Sequence, residues 1–428
     1  MWDFSTEPEF QAKLDWMKTF VREEVEPLDL VFDRPAHYYD ITDKQANAAI
    51  KPLQDEVRRQ KLWACHLGAD LGGPGYGQLK LALMNEILGR SLWGPRVFGT
   101  QAPDTGNAEI LAMFGTSEQK KRYLQPLLDG DIISCFSMTE PQGGADPKVF
   151  ECRAEHDGKG WVLNGYKWFS SNARWASFFI VMAVTDPDAP PATRFSMFLV
   201  PAETPGVNIV RNVGLLGEPA DEGAHGYMHY DNVRVGDDAV LGGVGQAFAV
   251  AQARLGGGRV HHAMRTIGAC SKAFDMMCER ALSRSTQGSR LADKQGVLAM
   301  IADSDIELRQ FRLLVLEAAW IMDQGDHSAA VTAIARVKVA TPKIFHDVVQ
   351  RAIHIHGSLG VSNELPLQHM WVGVPLIGLV DGPTEVHQIS LAKRVLRDHK
   401  PAPGLFPTEH IPTRKIEAQK KLARFLQE

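Results

Sequence analysis

The chain lacks the marks of several protein classes. Its five cysteines, Cys65, Cys135, Cys152, Cys270 and Cys278, are odd in number and none forms a C-x-x-C pair. That excludes a disulfide framework and points to free thiols in a reducing compartment. No uninterrupted apolar run is long enough to cross a membrane. The first residues show no basic stretch followed by an apolar one, so no secretory leader is expected and the protein reads as cytoplasmic. Basic residues are not in excess: 46 Lys and Arg face 51 Asp and Glu, a formal net charge of −5. Without a basic stripe, a nucleic-acid partner is not expected.

Two dinucleotide-binding signatures are also missing. Gly242-Gly243-Val244-Gly245 and Gly256-Gly257-Gly258 do not have the G-x-G-x-x-G spacing, and no G-x-x-x-x-G-K-[ST] occurs. Paired histidines, His261-His262 and His354-x-His356, have no Asp, Glu or Cys cluster at ligand spacing, so no metal site is expected. What is present is a change of pattern along 428 residues. Residues 9–30 (disturbed at Pro27), 44–62, 78–90 and 117–129 carry helical periodicity, and 71–77 is a glycine-rich loop. From 132–138 the pattern becomes strand-like. Asn164-Gly165 between two apolar runs predicts a hairpin, and further strands are expected at 178–185, 195–200, 207–213 and 226–235. Helical pattern returns after about residue 243. It includes 296–322, 328–354 with a kink at Pro342, and a last core helix at 384–397. The order predicts an α+β chain: an N-terminal helical domain (1–133), a middle β-barrel-like domain (134–242), a C-terminal helical bundle (243–400) and a charged tail (401–428).

Four segments in this order resemble the acyl-CoA dehydrogenase family. They are Phe136-Ser137-Met138-Thr139-Glu140-Pro141-Gln142-Gly143-Gly144-Ala145-Asp146, Asn164 to Asn172, Gly357-Ser358-Leu359-Gly360, and Asp381-Gly382-Pro383-Thr384-Glu385-Val386-His387. Ala102 to Asn107 and Gly258 to Arg265 are similar to one branch, related to dehydrogenases fused to a phosphotransferase-like domain. The resemblance implies an N-terminal helical domain and a C-terminal four-helix bundle enclosing a β-domain. It implies FAD at their junction, a homodimer or homotetramer whose second subunit completes the cofactor site, and an electron-transfer flavoprotein as acceptor.

The resemblance also implies roles. Asp381 takes the α-proton of an acyl-CoA thioester while the β-hydride passes to FAD, giving a 2-enoyl-CoA. Phe136, Met138, Thr139, Gly144, Ala145, Phe169, Ser170 and Ser171 meet the flavin. Arg284, Thr286, Gln295, His354, Gly357 and Ser358 reach the cofactor of the neighbouring subunit, and Pro383 and Glu385 also face cofactor. Ala145, Gly258, Arg259 and Gly382 border the substrate. Asp104 and Asn107 are expected to line the acyl pocket, where polar groups suit a functionalised chain better than a plain alkane.

The sequence departs from the family at several positions, among them His354 for Gln, Ala145 for Ser and Pro383-Thr384 for Thr-Ser, and three more bear on the base and the cofactor contact. Asp381 stands where most relatives have Glu, about 1.5 Å less reach. Gly258 stands where some relatives carry the base, and Gln287 where many have Phe. Local sequence alone also allows Asp381 to be a helix cap ahead of Pro383. Two other readings accompany the first: a flavin oxidase acting on a small carbon acid, similar to nitroalkane-oxidising relatives that use Asp, and a non-catalytic nucleic-acid-binding member.

Overall fold

The computed structural model describes residues 4–33, 38–215 and 217–425, without the side chains of 255 and 256. Helices come first: α1 (Pro8–Phe20), α2 (Lys44–Arg59), α3 (Gly77–Leu88) and α4 (Asp104–Phe114). After α1 the chain widens into a π-turn, Val21–Val25, before Glu26–Val31. Another π-turn, Lys120–Leu124, comes just ahead of Pro126. Each wide turn relieves the steric conflict that a proline ring creates with the preceding turn. Strands follow: β1 (Ser134–Ser137), β2 (Arg153–His156), β3 (Trp161–Ser171), β4 (Phe178–Val184), β5 (Phe195–Pro201), β6 (Val207–Val213), β7 (His225–Val235) and β8 (Val240–Leu241). They form one eight-stranded sheet in the order β6-β7-β3-β2-β4-β5-β8, with β1 parallel to β4 beside that path. The last block is helical again: α5 (Ala247–Ser283), α6 (Gln295–Asp323), α7 (His327–His356), α8 (Leu367–Leu379), α9 (Thr384–Arg397) and α10 (Ile411–Leu422).

The core is layered. Both faces of the sheet are buried at its centre, where β4 is buried at every position, while the edge strand β6 is largely exposed. One face packs Phe178, Ile180 and Met182 against Ala108 and Leu111 of α4 and Val250 of α5. The other encloses Phe179, Val181 and Tyr230. The N-terminal helices pack directly on the C-terminal ones, with Met17, Leu81 and Trp93 in one cluster with Val260, Ile267, Val315 and Val337. α5, 37 residues long, touches both clusters and ties the layers together. Among the described residues, no helix is long and apolar enough to cross a membrane.

Two expectations about the elements are corrected. Asn164-Gly165 is not a turn: it lies inside β3, where the register against β7 shifts between Leu163 and Gly165. Gly165 is needed there because a Cβ would sit 2.6 Å from the Cα of Cys152. The hairpin turn is Asp157–Gly160, joining β2 to β3. The expected core helix 384–397 forms as α9 but buries none of its residues. Val386, Ile389 and Leu396 face outward, with no described residue covering them. Gly256-Gly257-Gly258 lies within α5, where tertiary packing overrides poor helix propensity.

His66 illustrates a built-in pH response. It is buried, neither ring nitrogen has a partner among the described residues, and burial pushes its pKa down to about 4. Its folded pKa lies below the unfolded value of about 6.5. The unfolded state therefore gains the proton first. Stability is full above about pH 6.5 and falls as pH drops towards 4, by up to about 1.4 kcal/mol per pH unit for this one group. His66→Leu should flatten the loss of urea midpoint between pH 7 and pH 5. An unchanged slope would show that His66 protonates equally in both states.

Candidate functional site

A cleft of about 2290 Å³ opens between the sheet and the two helical blocks. A drug-sized ligand site holds roughly 300–1,000 Å³, so this space admits two extended ligands together. Four structural pieces converge on it.

The first is the end of β1 and the turn beyond. Phe136, Met138, Thr139, Gly144 and Ala145 line the cleft. Gly144 has φ +49, and open space lies where its Cβ would point. Glu140 holds this turn in place. Its carboxylate accepts from the Cys152 amide (3.0 Å), the Glu151 amide (2.6 Å) and Lys167 Nζ (2.7 Å), and Lys167 also donates to the Met138 carbonyl (2.8 Å). Both ionic side chains are at most 1% exposed. Sequence reading did not foresee this pair, whose members lie 27 positions apart.

The second piece is the end of β3. Phe169 and Ser171 line the cleft. Phe169 adopts φ +48 and is 40% exposed, an unusual state for an aromatic on a strand. Ser170 departs from expectation. Its hydroxyl is fully buried against the Ser137 hydroxyl (2.9 Å), which also accepts from Tyr230; the register shift between Lys167 and Ser170, at the positive φ of Phe169, breaks the alternation and turns Ser170 into the core.

The third piece is α5. Arg254, Gly258 and His262 recur every fourth residue and share one face. Arg254, Arg259 and His262 line the cleft. The fourth piece is the loop between α8 and α9, which carries Asp381, Gly382 and Pro383 into the cleft. Asp381 has φ +55 and Gly382 φ +99. Asp is among the few non-glycine residues that tolerate this left-handed region. The helix-cap reading does not hold: the cap position of α9 is Pro383, and no side chain caps it.

Cations clamp the loop by its carbonyls. The Asp381 carbonyl accepts from Arg259 Nε (3.1 Å) and Nη2 (2.9 Å), and His387 Nε2 lies 3.3 Å away. Lys338 donates to the Ile377 carbonyl, and burial pushes its pKa down to about 8. Thr384 Oγ1 donates to the Gly378 carbonyl (3.1 Å). The Asp381 carboxylate itself is left free. Its nearest basic group is His262 Nε2 at 3.8 Å, and burial pushes that imidazole down to about 4. By distance this is an ion pair, but His262 is neutral at pH 7, so the carboxylate is not neutralised by it. A Cβ at Gly258 would come within 3.9 Å of Asp381 Oδ2, which puts Gly258 directly opposite the carboxylate.

Other expected site residues lie elsewhere. Asp104 and Asn107 are buried and do not line the cleft. Asp104 accepts from the Ser134 amide (2.8 Å) and hydroxyl (2.7 Å), and Asn107 donates to the same hydroxyl (2.8 Å). Their carboxylate and amide are used up inside the protein. Arg284, Thr286, Gln295, His354, Gly357, Ser358 and Glu385 are exposed and outside the cleft. Arg284 precedes, and Thr286 belongs to, a small antiparallel ribbon whose turn, Gln287-Gly288, has positive φ at both positions, as a tight hairpin requires.

Comparison with known proteins gives a consistent picture. Residues 7–131, 135–233 and 245–396 match, in order, the N-terminal, middle and C-terminal domains of acyl-CoA dehydrogenase. FadE2 of Mycobacterium tuberculosis, named for the acyl-CoA dehydrogenases, is 40% identical over 380 residues, 86% of this chain and 92% of that one. Mouse acyl-CoA dehydrogenase family member 11 is 37% identical over 91% of this chain, which spans 50% of that protein's length. For mouse family member 10 the share is 37%. A solved Mycobacterium abscessus structure named for the same family superposes with a TM-score of 0.85 at 37% identity, covering 92% of this chain and 100% of that one.

Proposed function

Since the chain belongs to the acyl-CoA dehydrogenase family and is an oxidoreductase, we propose that it removes the α and β hydrogens of an acyl-CoA thioester with Asp381 as the base. The observation that carries this reading is a free carboxylate held rigidly at the wall of a cleft large enough for cofactor and substrate.

The residues present fit FAD. Phe169 offers a flat apolar face to the cleft, and Gly144 offers backbone without a side chain in the way. When bound, the flavin supplies the two-electron acceptor. The chain does the rest. Phe136, Met138, Thr139, Ala145 and Ser171 border the ring, while Pro383 and Gly382 shape the approach to Asp381. Arg259 fixes the Asp381 peptide and so the aim of the carboxylate, which receives the α-proton. Gly258 leaves the α-carbon room against the helix. Neutral His262 adds a polar group without discharging the base.

The exposed residues Arg284, Thr286, Gln295, His354, Gly357, Ser358 and Glu385 serve the cofactor of a second subunit, in a homodimer or homotetramer. The uncovered apolar face of α9 supports that assembly, since faces of this kind mark interfaces. An electron-transfer flavoprotein receives the electrons. The free, mostly buried thiols suit a reducing cytoplasm.

Anaerobic titration tests the reading. Purified protein should be yellow, and one or more acyl-CoAs should bleach it with formation of the 2-enoyl product. A flavin that binds but is bleached by no acyl-CoA across straight, branched and substituted chains would sink it.

A further inference from the structure

The motif Asp104-Thr105-Gly106-Asn107 does not touch the cleft, yet each chemistry-bearing member acts on one residue that does. Arg254 Nε donates to Asn107 Oδ1 at 2.8 Å. The amide of Asn107 is oriented by a one-way chain. The Asp104 carboxylate only accepts, so the Ser134 hydroxyl spends its proton there, and its lone pair takes the Asn107 amino group. The Asn107 oxygen therefore faces Arg254. Gly106 completes the mount: a Cβ there would lie 2.9 Å from Arg254 Cγ and push the side chain away. From the other side Arg254 lies over the Phe136 ring, 4.0 Å from its centroid.

The guanidinium is thus fixed by one nitrogen and one face. Its two terminal nitrogens make no hydrogen bond or ion pair with any described residue. Asp381 and Glu109 feel its charge but stay beyond ion-pairing distance. Arg254 lines the cleft one helical turn before Gly258, which stands opposite Asp381. One turn is about 6 Å along the axis. A pre-oriented, half-buried cation with an empty fork is the geometry that takes a carboxylate or similar anion bidentately.

We propose that Arg254 anchors an anionic oxygen group carried on the acyl chain, so that the substrates are short ω-carboxylated acyl thioesters rather than plain fatty ones. This rests on the acyl-CoA dehydrogenase reading above. It moves the polar recognition expected of Asp104 and Asn107 one residue outward: they hold the group that does the binding.

The test uses the flavin-loaded enzyme and calorimetric binding of adipoyl-CoA and hexanoyl-CoA, which needs no turnover. Wild type should favour adipoyl-CoA. Arg254→Met should reduce the adipoyl-to-hexanoyl affinity ratio by about ten- to a hundredfold, the size of a lost charge-assisted contact. Arg254→Lys should restore part of it. Gly106→Ala, which displaces Arg254 without altering charge, should lower the ratio in the same direction and covers the case in which Arg254→Met does not fold. A ratio unchanged in both Arg254→Met and Gly106→Ala overturns the proposal. So does loss of flavin from Arg254→Met, which would make Arg254 a cofactor ligand. Failure of flavin bleaching with the affinity ratio intact counts against the dehydrogenase reading and leaves the anchor standing.

Discussion

Asp381→Asn should leave the flavin in place and slow its reduction by acyl-CoA by about a hundred- to ten-thousandfold, the range of a positioned general base. The substitution is clean for structural reasons. Asparagine tolerates left-handed backbone as well as aspartate does, so φ +55 is retained. The Asp381 contacts that fix the loop all go to its carbonyl, which Asn keeps. Only proton affinity is lost. Rapid-mixing absorbance at the flavin band measures the effect, and reduction at the wild-type rate would remove Asp381 from the chemistry. Asp381→Glu makes a useful contrast. It restores the length found in most of the family, but on a backbone that Glu adopts less readily, so it should fall below wild type rather than exceed it.

The second large effect concerns stability. Glu140→Ala should lower unfolding free energy by about 3–5 kcal/mol, the usual result of removing one partner from a buried ion pair. It strands the Lys167 ammonium, which is fully buried, and frees the amides of Glu151 and Cys152. The Met138 carbonyl, held by Lys167, lies in the turn that lines the cleft. Flavin affinity should therefore weaken along with thermal midpoint. Replacing both partners with apolar residues of similar volume should recover much of the stability. If Glu140→Ala alone unfolds at the wild-type denaturant concentration, the pair is not structural.

Some of this was legible in the sequence and some was not. The β-strand boundaries at 178, 195 and 207 follow from apolar runs punctuated by Pro and Gly, and they fall where expected. Asp381 lines the cleft, and the role proposed for it there rests on the family resemblance. Asn164-Gly165 misled because a turn signal is local, whereas a bulge is imposed by the strand alongside, here through the backbone at Cys152. Ser170 and Ser171 look alike in sequence, but the register shift at Phe169 buries one hydroxyl and leaves the other beside the cleft. Asp104 and Asn107 lie in the expected neighbourhood but face away from the cleft. Which face a helix of 11 residues presents depends on what packs on it, and here the packing partners are Ser134 and Arg254. The Glu140–Lys167 pair and the Arg254 mount join residues distant in sequence, beyond the reach of periodicity.

The clamp on the Asp381 peptide has a mechanical consequence. In the proposed reaction each cycle loads the carboxylate with a proton and unloads it again, a swing of one full charge. Arg259 grips the carbonyl on the backbone, not the oxygens that titrate. The hydrogen bonds that fasten the loop therefore survive that swing, since the carbonyl they use keeps its lone pairs whether or not the carboxyl carries a proton. The tool changes charge while its mounting keeps its bolts.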